Sequence, residues 1–323
     1  MRESRREDHE LFRTQVRRFV EREIAPHHAQ WERDGFVPKD VWRKAGRSGL
    51  LCCLVPEAYG GTGGDFGHSA VIIEELARAN ATAFGITTHS EICAPYILAY
   101  GTDDQKRRWL TAMASGEAIC AIAMTEPGIG SDLRSLRTTA VRDGDHFVVS
   151  GQKTFITNGL NADFAIVAVK IDPRPADKKI TLMLIDANTP GFTKGRKLEK
   201  IGLRGQDTCE LFFDNVRVPV ANVLGEEHEG FGYLMHELAQ ERMIIALRAA
   251  TSIEVILEET IDYTRNRQAF GQAVFDYQNT RFKLAQAKAE VTMLRVFIRD
   301  HAGNNCPNTL KIRRRETGLD ETT

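Results

Sequence analysis

Glu241 is the residue whose position in the sequence most directly suggests chemistry. It falls within a helix predicted for residues 234–256, near the centre of a stripe of apolar residues spaced at about 100° per residue. The stripe consists of Leu234, Leu238, Ile245, Ala249 and Ile256. Desolvation of a carboxylate on an apolar face is costly, and it raises the pKa of the group, which makes a better base near neutral pH. The pattern leaves two interpretations open: a catalytic base, or a structural ion pair with Arg242 or Arg248.

A second candidate is the glycine-rich segment 124–132 (MTEPGIGSD), which follows the strand-like residues 121–123. Its glycines and hydroxyl side chains indicate a tight turn, whose backbone N–H groups can approach a flat cofactor or a phosphate. The segment is not a dinucleotide fingerprint, because G-x-G-x-x-G is incomplete and no helix-opening pattern follows. Taken alone, it is interpreted as a plain turn.

Other motif-like segments are interpreted without a chemical role. His228 and His236 lie near glutamates, yet H-E-x-x-H is absent and 226–229 (EEHE) is typical of an exposed loop, so no metal site is expected. The glycine-rich stretch 56–64 lacks the Lys-Ser/Thr of a phosphate-binding loop and is interpreted as a structural turn. The sequence also lacks the G-x-S-x-G of esterases.

The elements that must position these residues change along the chain. Apolar positions recur at helical spacing in 1–118 and again in 229–299, whereas 119–228 contains short alternating or β-branched runs separated by turns. Those runs are 146–149, 153–157, 163–171, 180–185 and 210–213. Because no long helices lie between them, an antiparallel sheet is favoured. The predicted fold class is α+β: an N-terminal helical domain, a middle antiparallel β domain, a C-terminal helical bundle and a divergent tail at 300–323.

Composition and charge restrict the possible partners. The formal net charge is −1, which argues against a dedicated nucleic-acid binder. No apolar run approaches the ~18 residues of a membrane span, and the charged N-terminus resembles neither a signal peptide nor a transit peptide. The six cysteines form no C-x-x-C pair, which favours a reduced setting without a disulfide framework or zinc. A cytoplasmic protein is expected.

Five motifs in a fixed order resemble those of the acyl-CoA dehydrogenase family. They are 124–132 (MTEPGIGSD), 153–159 (KTFITNG), 240–242 (QER), 265–271 (RNRQAFG) and Gln278. The resemblance extends from about residue 5 to residue 298 and is strongest for the long-chain enzymes. It implies the same three-part fold. It also implies that the C-terminal part of the family domain is missing, which would leave part of the bundle's apolar face uncovered.

The resemblance implies FAD as the cofactor and assigns residues to it. The residues expected to border or bind the flavin are Ile122, Ala123, Met124, Thr125, Gly130, Ser131, Phe155, Ile156, Thr157, Arg267 and Gln278. In this assignment the hydroxyls of Thr125 and Thr157 bind the polar edge of the isoalloxazine ring, and Phe155 packs against its face, where many relatives have tryptophan. Arg267 and Gln278 resemble residues that reach the FAD of a neighbouring subunit, which implies a dimer or tetramer.

The resemblance also implies a binding site for an acyl-CoA. The residues expected to contact this substrate are Ser131, Ala239, Gln240 and Arg242. A subset of the family, similar to the long-chain and isovaleryl enzymes, carries the catalytic base on the first helix of the bundle, and that position is Glu241 here. The implied base and the helix pattern therefore coincide.

The implied reaction is the α,β-dehydrogenation of a fatty acyl-CoA to the trans-2-enoyl-CoA. Glu241 would remove the acidified α proton, the flavin would take hydride from the β carbon, and an electron-transfer flavoprotein would accept the electrons. Two alternatives stay open from the sequence: an acyl-CoA oxidase that uses oxygen, and a non-catalytic remnant of the same fold that no longer holds FAD.

Overall fold

The structure is a computed structural model that describes the backbone of residues 2–171 and 179–304, and the side chains from 7 to 298 within those ranges. Helices come first, then a sheet, then two long helices, which confirms the predicted α+β order. The tail predicted at 300–323 lies outside the described residues after Asn304.

The first part of the chain is a set of helices packed around an apolar core. Its helical elements are α1 (Arg2–Phe19), the π-helical turn Val20–Ile24, α2 (Ala25–Asp34), α3 (Lys39–Arg47), α4 (Phe66–Arg78), the π-helical turn Thr87–Cys93, α5 (Ala94–Tyr100), α6 (Asp103–Gln105), the π-helical turn Lys106–Leu110 and α7 (Thr111–Ser115). The predicted turn at 56–64 contains the 3-10 turn Glu57–Tyr59 and leads into α4. These helices supply one wall of the candidate site.

The start of helix α4 is fixed by hydrogen bonds to the side chains of Asp65 and His68. The Asp65 carboxylate accepts a hydrogen bond from the backbone N–H of Gly67, and the His68 ring accepts one from the backbone N–H of Asp65. This reciprocal capping satisfies donors that have no partner inside the helix. The apolar face of α4 is buried through Val71, Ile72, Ile73 and Leu76. The helix is thereby fixed as a packing surface for the long helix that carries Glu241.

The middle part of the chain is one twisted sheet with mixed pairing. Its strands are β1 (Cys120–Ala123), β2 (Thr139–Asp143), β3 (His146–Thr157), β4 (Phe164–Ile171), β5 (Thr181–Asp186), β6 (Phe192–Lys197), β7 (Thr208–Pro219) and β8 (Val223–Leu224). Their spatial order is β6-β7-β3-β2-β4-β5-β8, and β1 pairs with β4. Most neighbours are antiparallel, as predicted, whereas β4 pairs in parallel with both β1 and β2.

Strand β4 is covered on both faces, which explains why its residues are apolar without alternating with polar ones. Side chains of a strand point to opposite faces in turn. One face of β4 contributes Phe164, Ile166 and Ala168 to the helical core. The other face contributes Ala165 and Val167 to the core of the sheet domain. Because both faces are covered, neither needs polar residues.

The last described part is a helical pair. α8 (Gly230–Asn266) is a continuous helix about 55 Å long at 1.5 Å per residue. A short hairpin of β9 (Gln268–Ala269) and β10 (Gln272–Ala273) connects it to α9 (Gln278–Asn304). α8 packs against α4, α5 and α9. Within the described part of the chain, no helix combines the length and apolarity that crossing a membrane would need.

The face of α8 that packs inward differs in part from the predicted stripe. Its buried side chains include Leu234, Glu237, Gln240, Ile244, Leu247 and Leu257. Ile245 and Ile256 are 68% and 60% exposed, and Ala249 is also exposed, so the predicted stripe is wrong at these positions. α8 carries apolar side chains on more than one side, and its contacts with α4 and α5 select the packed face. Glu241 borders that face and is partly buried.

Candidate active site

Glu241 lies where α8 crosses α5. Its Oε1 accepts a hydrogen bond of 3.0 Å from the hydroxyl of Tyr96, which is fully buried. Burial raises the pKa of the Glu241 carboxyl and the charge of Glu237 adds to the rise, while the hydrogen bond from Tyr96 and the charge of Arg242 lower it. The net pKa is raised. Neither Arg242 nor Arg248 forms an ion pair with Glu241, so the structure does not support the alternative of a salt bridge.

A second tyrosine–glutamate contact lies one helical turn away. Glu237 is buried and accepts a hydrogen bond of 2.9 Å from the hydroxyl of Tyr100. The ring of Tyr100 stacks on Tyr233 at a centroid distance of 3.9 Å. Sequence reasoning missed these tyrosines. The sequence did carry one signal. Tyr96 and Tyr100 are four positions apart, and so are Glu237 and Glu241, and a spacing of four places each pair on one face of a helix.

The aromatic face expected to meet a flavin lies at an irregularity in β3. The pairing of β3 with β7 shifts register between Lys153 and Ile156, as in a β-bulge. Phe155 within the bulge has a φ of 59°, a region that bulky residues rarely adopt, and its side chain is 67% exposed. Strained backbone that presents an apolar ring to solvent is typical of a ligand site.

A buried ion pair attaches the segment 124–132 to this bulge. Glu126 accepts hydrogen bonds from Nζ of Lys153 at 2.9 Å and from the hydroxyl of Thr138 at 2.6 Å. Burial raises the pKa of Glu126, but the charge of Lys153 and the hydrogen bonds from Thr138 and Lys153 outweigh it, and the net pKa is lowered. Burial lowers the pKa of Lys153 to about 8, although Glu126 opposes the change. The pair therefore stays charged near neutral pH.

Two further bonds fix the backbone beside the pair. Nζ of Lys153 donates to the carbonyl of Met124 at 3.0 Å, and the N–H of Thr154 donates to the carbonyl of Thr125 at 2.9 Å. Thr125 therefore lies next to the bulge that carries Phe155. In the sequence, Glu126 and Lys153 stood out only as members of two separate motifs. Their pairing over 27 positions has no local signal.

The residues predicted for the flavin divide into three groups by exposure. Gly130, Ser131 and Phe155 are exposed. Partly exposed side chains are Ile122, Met124, Thr125 and Thr157. The side chains of Ala123 and Ile156 are buried in the sheet core, so a contact of these two residues with the flavin stays a prediction for their backbone groups alone.

Arg267 and Gln278 lie far from Glu241. Arg267 follows Glu241 by 26 positions and is the C-cap residue of α8, so about 39 Å of helix separates them. Gln278 begins α9, beyond the hairpin. Arg267 therefore cannot meet a flavin that lies beside Glu241 of its own chain. Their role at a neighbouring subunit, and the oligomer that it requires, stay predictions.

The residues predicted for the substrate differ in how exposed their side chains are. Ala239, Arg242 and Ser131 are exposed. Gln240 is buried, and its amide donates to the backbone carbonyl of Glu91 at 3.0 Å. That bond holds α8 to the π-helical turn before α5, so the side chain of Gln240 positions the helix, and its contact with the substrate stays a prediction.

Only one group of described side chains has the spacing of metal ligands. It is His9, Asp65 and His68, whose ligand atoms lie within 4.8 Å of one another. Hydrogen bonds already join them: Nε2 of His9 to Asp65 at 2.8 Å and Nδ1 of His68 to Asp65 at 3.1 Å. The cluster connects α1 to the start of α4 and is not part of the Glu241 site.

Comparison with known proteins decides the family. Models of the acyl-CoA dehydrogenase N-terminal, middle and C-terminal domains match residues 6–117, 121–216 and 228–306. The chain belongs to the acyl-CoA dehydrogenase family. It is 45% identical over 293 residues to the mitochondrial long-chain specific acyl-CoA dehydrogenase of Sus scrofa, covering 90% of this chain and 68% of that protein.

Solved structures of family members agree. An acyl-CoA dehydrogenase from Geobacillus kaustophilus superposes with a TM-score of 0.88 at 46% identity, covering 97% of this chain and 80% of that one. An acyl-CoA dehydrogenase complexed with FAD from Bacillus anthracis has a TM-score of 0.88 at 28% identity, covering 98% of this chain and 53% of that one. This family member is an FAD-dependent oxidoreductase that acts on the CH–CH bond of an acyl-CoA in fatty acid β-oxidation.

The described residues fit a flat cofactor. The ring of Phe155 is free to pack against another ring. A Cβ added to Gly128 or Gly130 would meet no atom within 4 Å, so the loop leaves open space on this side. Thr125 and Thr157 are partly exposed, and the carbonyl of Thr125 accepts a hydrogen bond from the residue before Phe155. An aromatic face with polar groups beside it suits an isoalloxazine ring.

The two neighbours of Glu241 are predicted to shift its pKa in opposite directions. Tyr96→Phe removes a hydrogen bond that lowers the pKa, so the pKa of Glu241 rises further. Glu237→Gln removes a negative charge that raises the pKa, so the pKa falls. The measurement is an infrared titration of the carboxyl absorption that disappears in Glu241→Gln.

The matched control is Tyr59→Phe, which removes a different tyrosine–carboxylate hydrogen bond, that to Asp103. It is expected to leave the titration of Glu241 unchanged. Shifts of equal sign in Tyr96→Phe and Glu237→Gln would contradict the electrostatic account.

The buried ion pair is predicted to be essential for the flavin surface. Lys153→Met leaves the Glu126 carboxylate buried without its cation, which lowers the free energy of unfolding by about 3–5 kcal/mol and weakens flavin binding. The double variant Lys153→Met, Glu126→Gln removes both charges and recovers part of the loss. Urea unfolding and flavin absorbance measure the two effects.

Lys44→Met provides the control, since Lys44 forms partly exposed ion pairs with Glu23 and Asp40. Its effect on the free energy of unfolding is expected to be far smaller than that of Lys153→Met, because solvent screens an exposed ion pair. If Lys153→Met behaved like Lys44→Met, the ion pair would not hold the loop.

Proposed function

We propose that this family member catalyses the α,β-dehydrogenation of a long-chain fatty acyl-CoA, with Glu241 as the base that removes the α proton. The observation that carries the proposal is the placement of Glu241: partly buried, held by Tyr96, with a raised pKa. A general base works best when its pKa approaches the working pH. The preference for long chains rests on similarity to the long-chain relative.

Glu241 and Tyr96 have distinct roles in the proposed reaction. The thioester carbonyl acidifies the α C–H, and the Glu241 carboxylate takes that proton. Tyr96 orients the carboxylate by donating to Oε1, which leaves Oε2 free for the proton. An acyl chain along α8 would exclude water from the site. Loss of water raises the pKa of Glu241 further and strengthens the electrostatic interactions between the protein and the substrate.

The sheet side of the site is proposed to hold the cofactor. The hydroxyls of Thr125 and Thr157 would bind the polar edge of FAD, and Phe155 would pack against its ring. When bound, FAD supplies the acceptor for the hydride that leaves the β carbon. Family resemblance further supports an electron-transfer flavoprotein as the final electron acceptor.

Glu241→Gln tests the base assignment. The amide cannot take a proton, so anaerobic bleaching of the flavin by palmitoyl-CoA is expected to slow by about 10²–10⁴-fold, while the flavin content stays normal. Stopped-flow absorbance measures the rate. Glu259→Gln, an exposed carboxylate on the same helix, is the control and should bleach at the wild-type rate.

Normal bleaching in Glu241→Gln would refute the base. A colourless wild-type protein would support the non-catalytic remnant. Oxygen consumption in place of dye reduction during turnover would identify an acyl-CoA oxidase.

A further inference from the structure

Two histidines and an aspartate converge where α1 meets the start of α4. Nε2 of His9 lies 2.8 Å from Oδ1 of Asp65, and Nδ1 of His68 lies 3.1 Å from the same oxygen. All three atoms lie within 4.8 Å of one another. Atoms bonded to one ion at about 2.0–2.2 Å are about 3.4 Å apart in a tetrahedral arrangement. Small shifts of the side chains would therefore give the spacing of a metal site.

The hydrogen bonds of His68 leave a lone pair facing the carboxylate. Oδ2 of Asp8 lies 3.2 Å from Nε2 of His68, and the backbone N–H of Asp65 donates to Nδ1 at 3.2 Å. A neutral ring that donates from Nε2 has only a lone pair at Nδ1. That lone pair lies 3.1 Å from Oδ1 of Asp65, which is also an acceptor. Two acceptors this close need a positive charge between them, which a proton or a metal ion can supply.

The neighbours of the cluster hold both rings in place. A carboxylate that accepts the outer N–H of a histidine fixes the tautomer and orientation of a metal-binding ring, and Asp8 occupies that position beside His68. Phe12 packs edge-on against the ring of His68, with 5.1 Å between the ring centroids. A Cβ on Gly67 would collide with the ring of His9, so glycine is what lets this ring approach the start of α4.

The charges and donor atoms of the cluster select the class of ion. The carboxylates of Asp8 and Asp65 carry two negative charges, which match a divalent cation. Two imidazole nitrogens and a carboxylate oxygen suit zinc or a similar first-row transition metal, whereas calcium and magnesium prefer oxygen ligands. His9, Asp65 and His68 are partly exposed, so water can complete the coordination. Water can also accept the backbone N–H of Asp65 when the lone pair of His68 turns to the ion.

We infer that His9, Asp65 and His68 bind a divalent transition-metal ion, for which zinc is the best fit. The site is separate from the proposed reaction and does not depend on it. The ion joins α1 to α4, the helix that packs against α8. Because only the folded chain brings the three side chains together, the bound ion stabilises the fold. His9 and Asp65 are 56 positions apart, so no local motif in the sequence indicates the site.

The test adds Zn²⁺ to the holoprotein after treatment with EDTA and dialysis. Calorimetric titration is expected to show one Zn²⁺ per chain, and the melting temperature should rise with Zn²⁺. X-ray absorption at the zinc edge should show only nitrogen and oxygen ligands, at about 2.0–2.2 Å. A sulfur ligand at about 2.3 Å would place the ion at a cysteine and overturn the inference.

Three variants and one control locate the ion. Asp8→Ala removes only the carboxylate beside His68 and should lower the affinity for Zn²⁺ by about 10–100-fold. His9→Gln removes a ligand and should lower it at least as much. Gly67→Ala should also weaken binding, because the added Cβ displaces the ring of His9. The control is His146→Gln, which removes a histidine bonded to Asp145 at the start of β3 and should leave Zn²⁺ binding unchanged.

Two further results would overturn the inference. One is no uptake of Zn²⁺ at millimolar concentration, or equal affinity in wild type and His9→Gln. The other is a melting temperature that His9→Gln lowers equally in Zn²⁺ and in EDTA, which would mean that the cluster holds only a proton. Equal flavin contents and circular dichroism spectra of wild type and variants exclude misfolding as the cause of lost binding. No readout involves an acyl-CoA, so failure of the metal site would leave the proposed function standing.

Discussion

The site depends on keeping one carboxylate partly out of water without giving it a cation. A charged partner would lower the pKa of Glu241 and weaken it as a base. The structure supplies a neutral donor, the hydroxyl of Tyr96, and a second carboxylate, Glu237, one turn away. The carboxylate is therefore oriented by a neutral hydrogen-bond donor, and no ion-paired cation lowers its pKa. Both neighbours depend on the crossing of α5 and α8.

On the sheet side of the site, a buried carboxylate is instead paired with a cation. Glu126 and Lys153 are both buried and paired, because there the requirement is a fixed backbone and not a reactive group. The pair connects the segment 124–132 to the bulge of β3, so that Phe155 keeps its strained conformation and exposed ring. Desolvation is tolerated in both places: at Glu241 it serves reactivity, and at Glu126 a cation and hydrogen bonds offset it.

Much of this arrangement was predictable from sequence, and the exceptions have physical causes. Helical spacing and β-branched runs gave the order of elements, and the motifs indicated Glu241 and Phe155. The apolar stripe was wrong at Ile245, since apolar character does not tell which side of a helix packs. Tyr96 was missed because its contact with Glu241 joins residues 145 positions apart. Such contacts are set by how helices cross, and one sequence carries no pattern for them.

The central claim is that Glu241 takes a proton from the carbon next to the thioester carbonyl. A crystal structure of the holoprotein with 3-thiaoctanoyl-CoA tests it most directly, because sulfur at the β position has no hydride to give and the complex persists. The account predicts an oxygen of Glu241 about 3–3.5 Å from the α carbon, with the flavin against Phe155 on the opposite side. A Glu241 carboxylate turned to bulk water, with the thioester elsewhere, would contradict it.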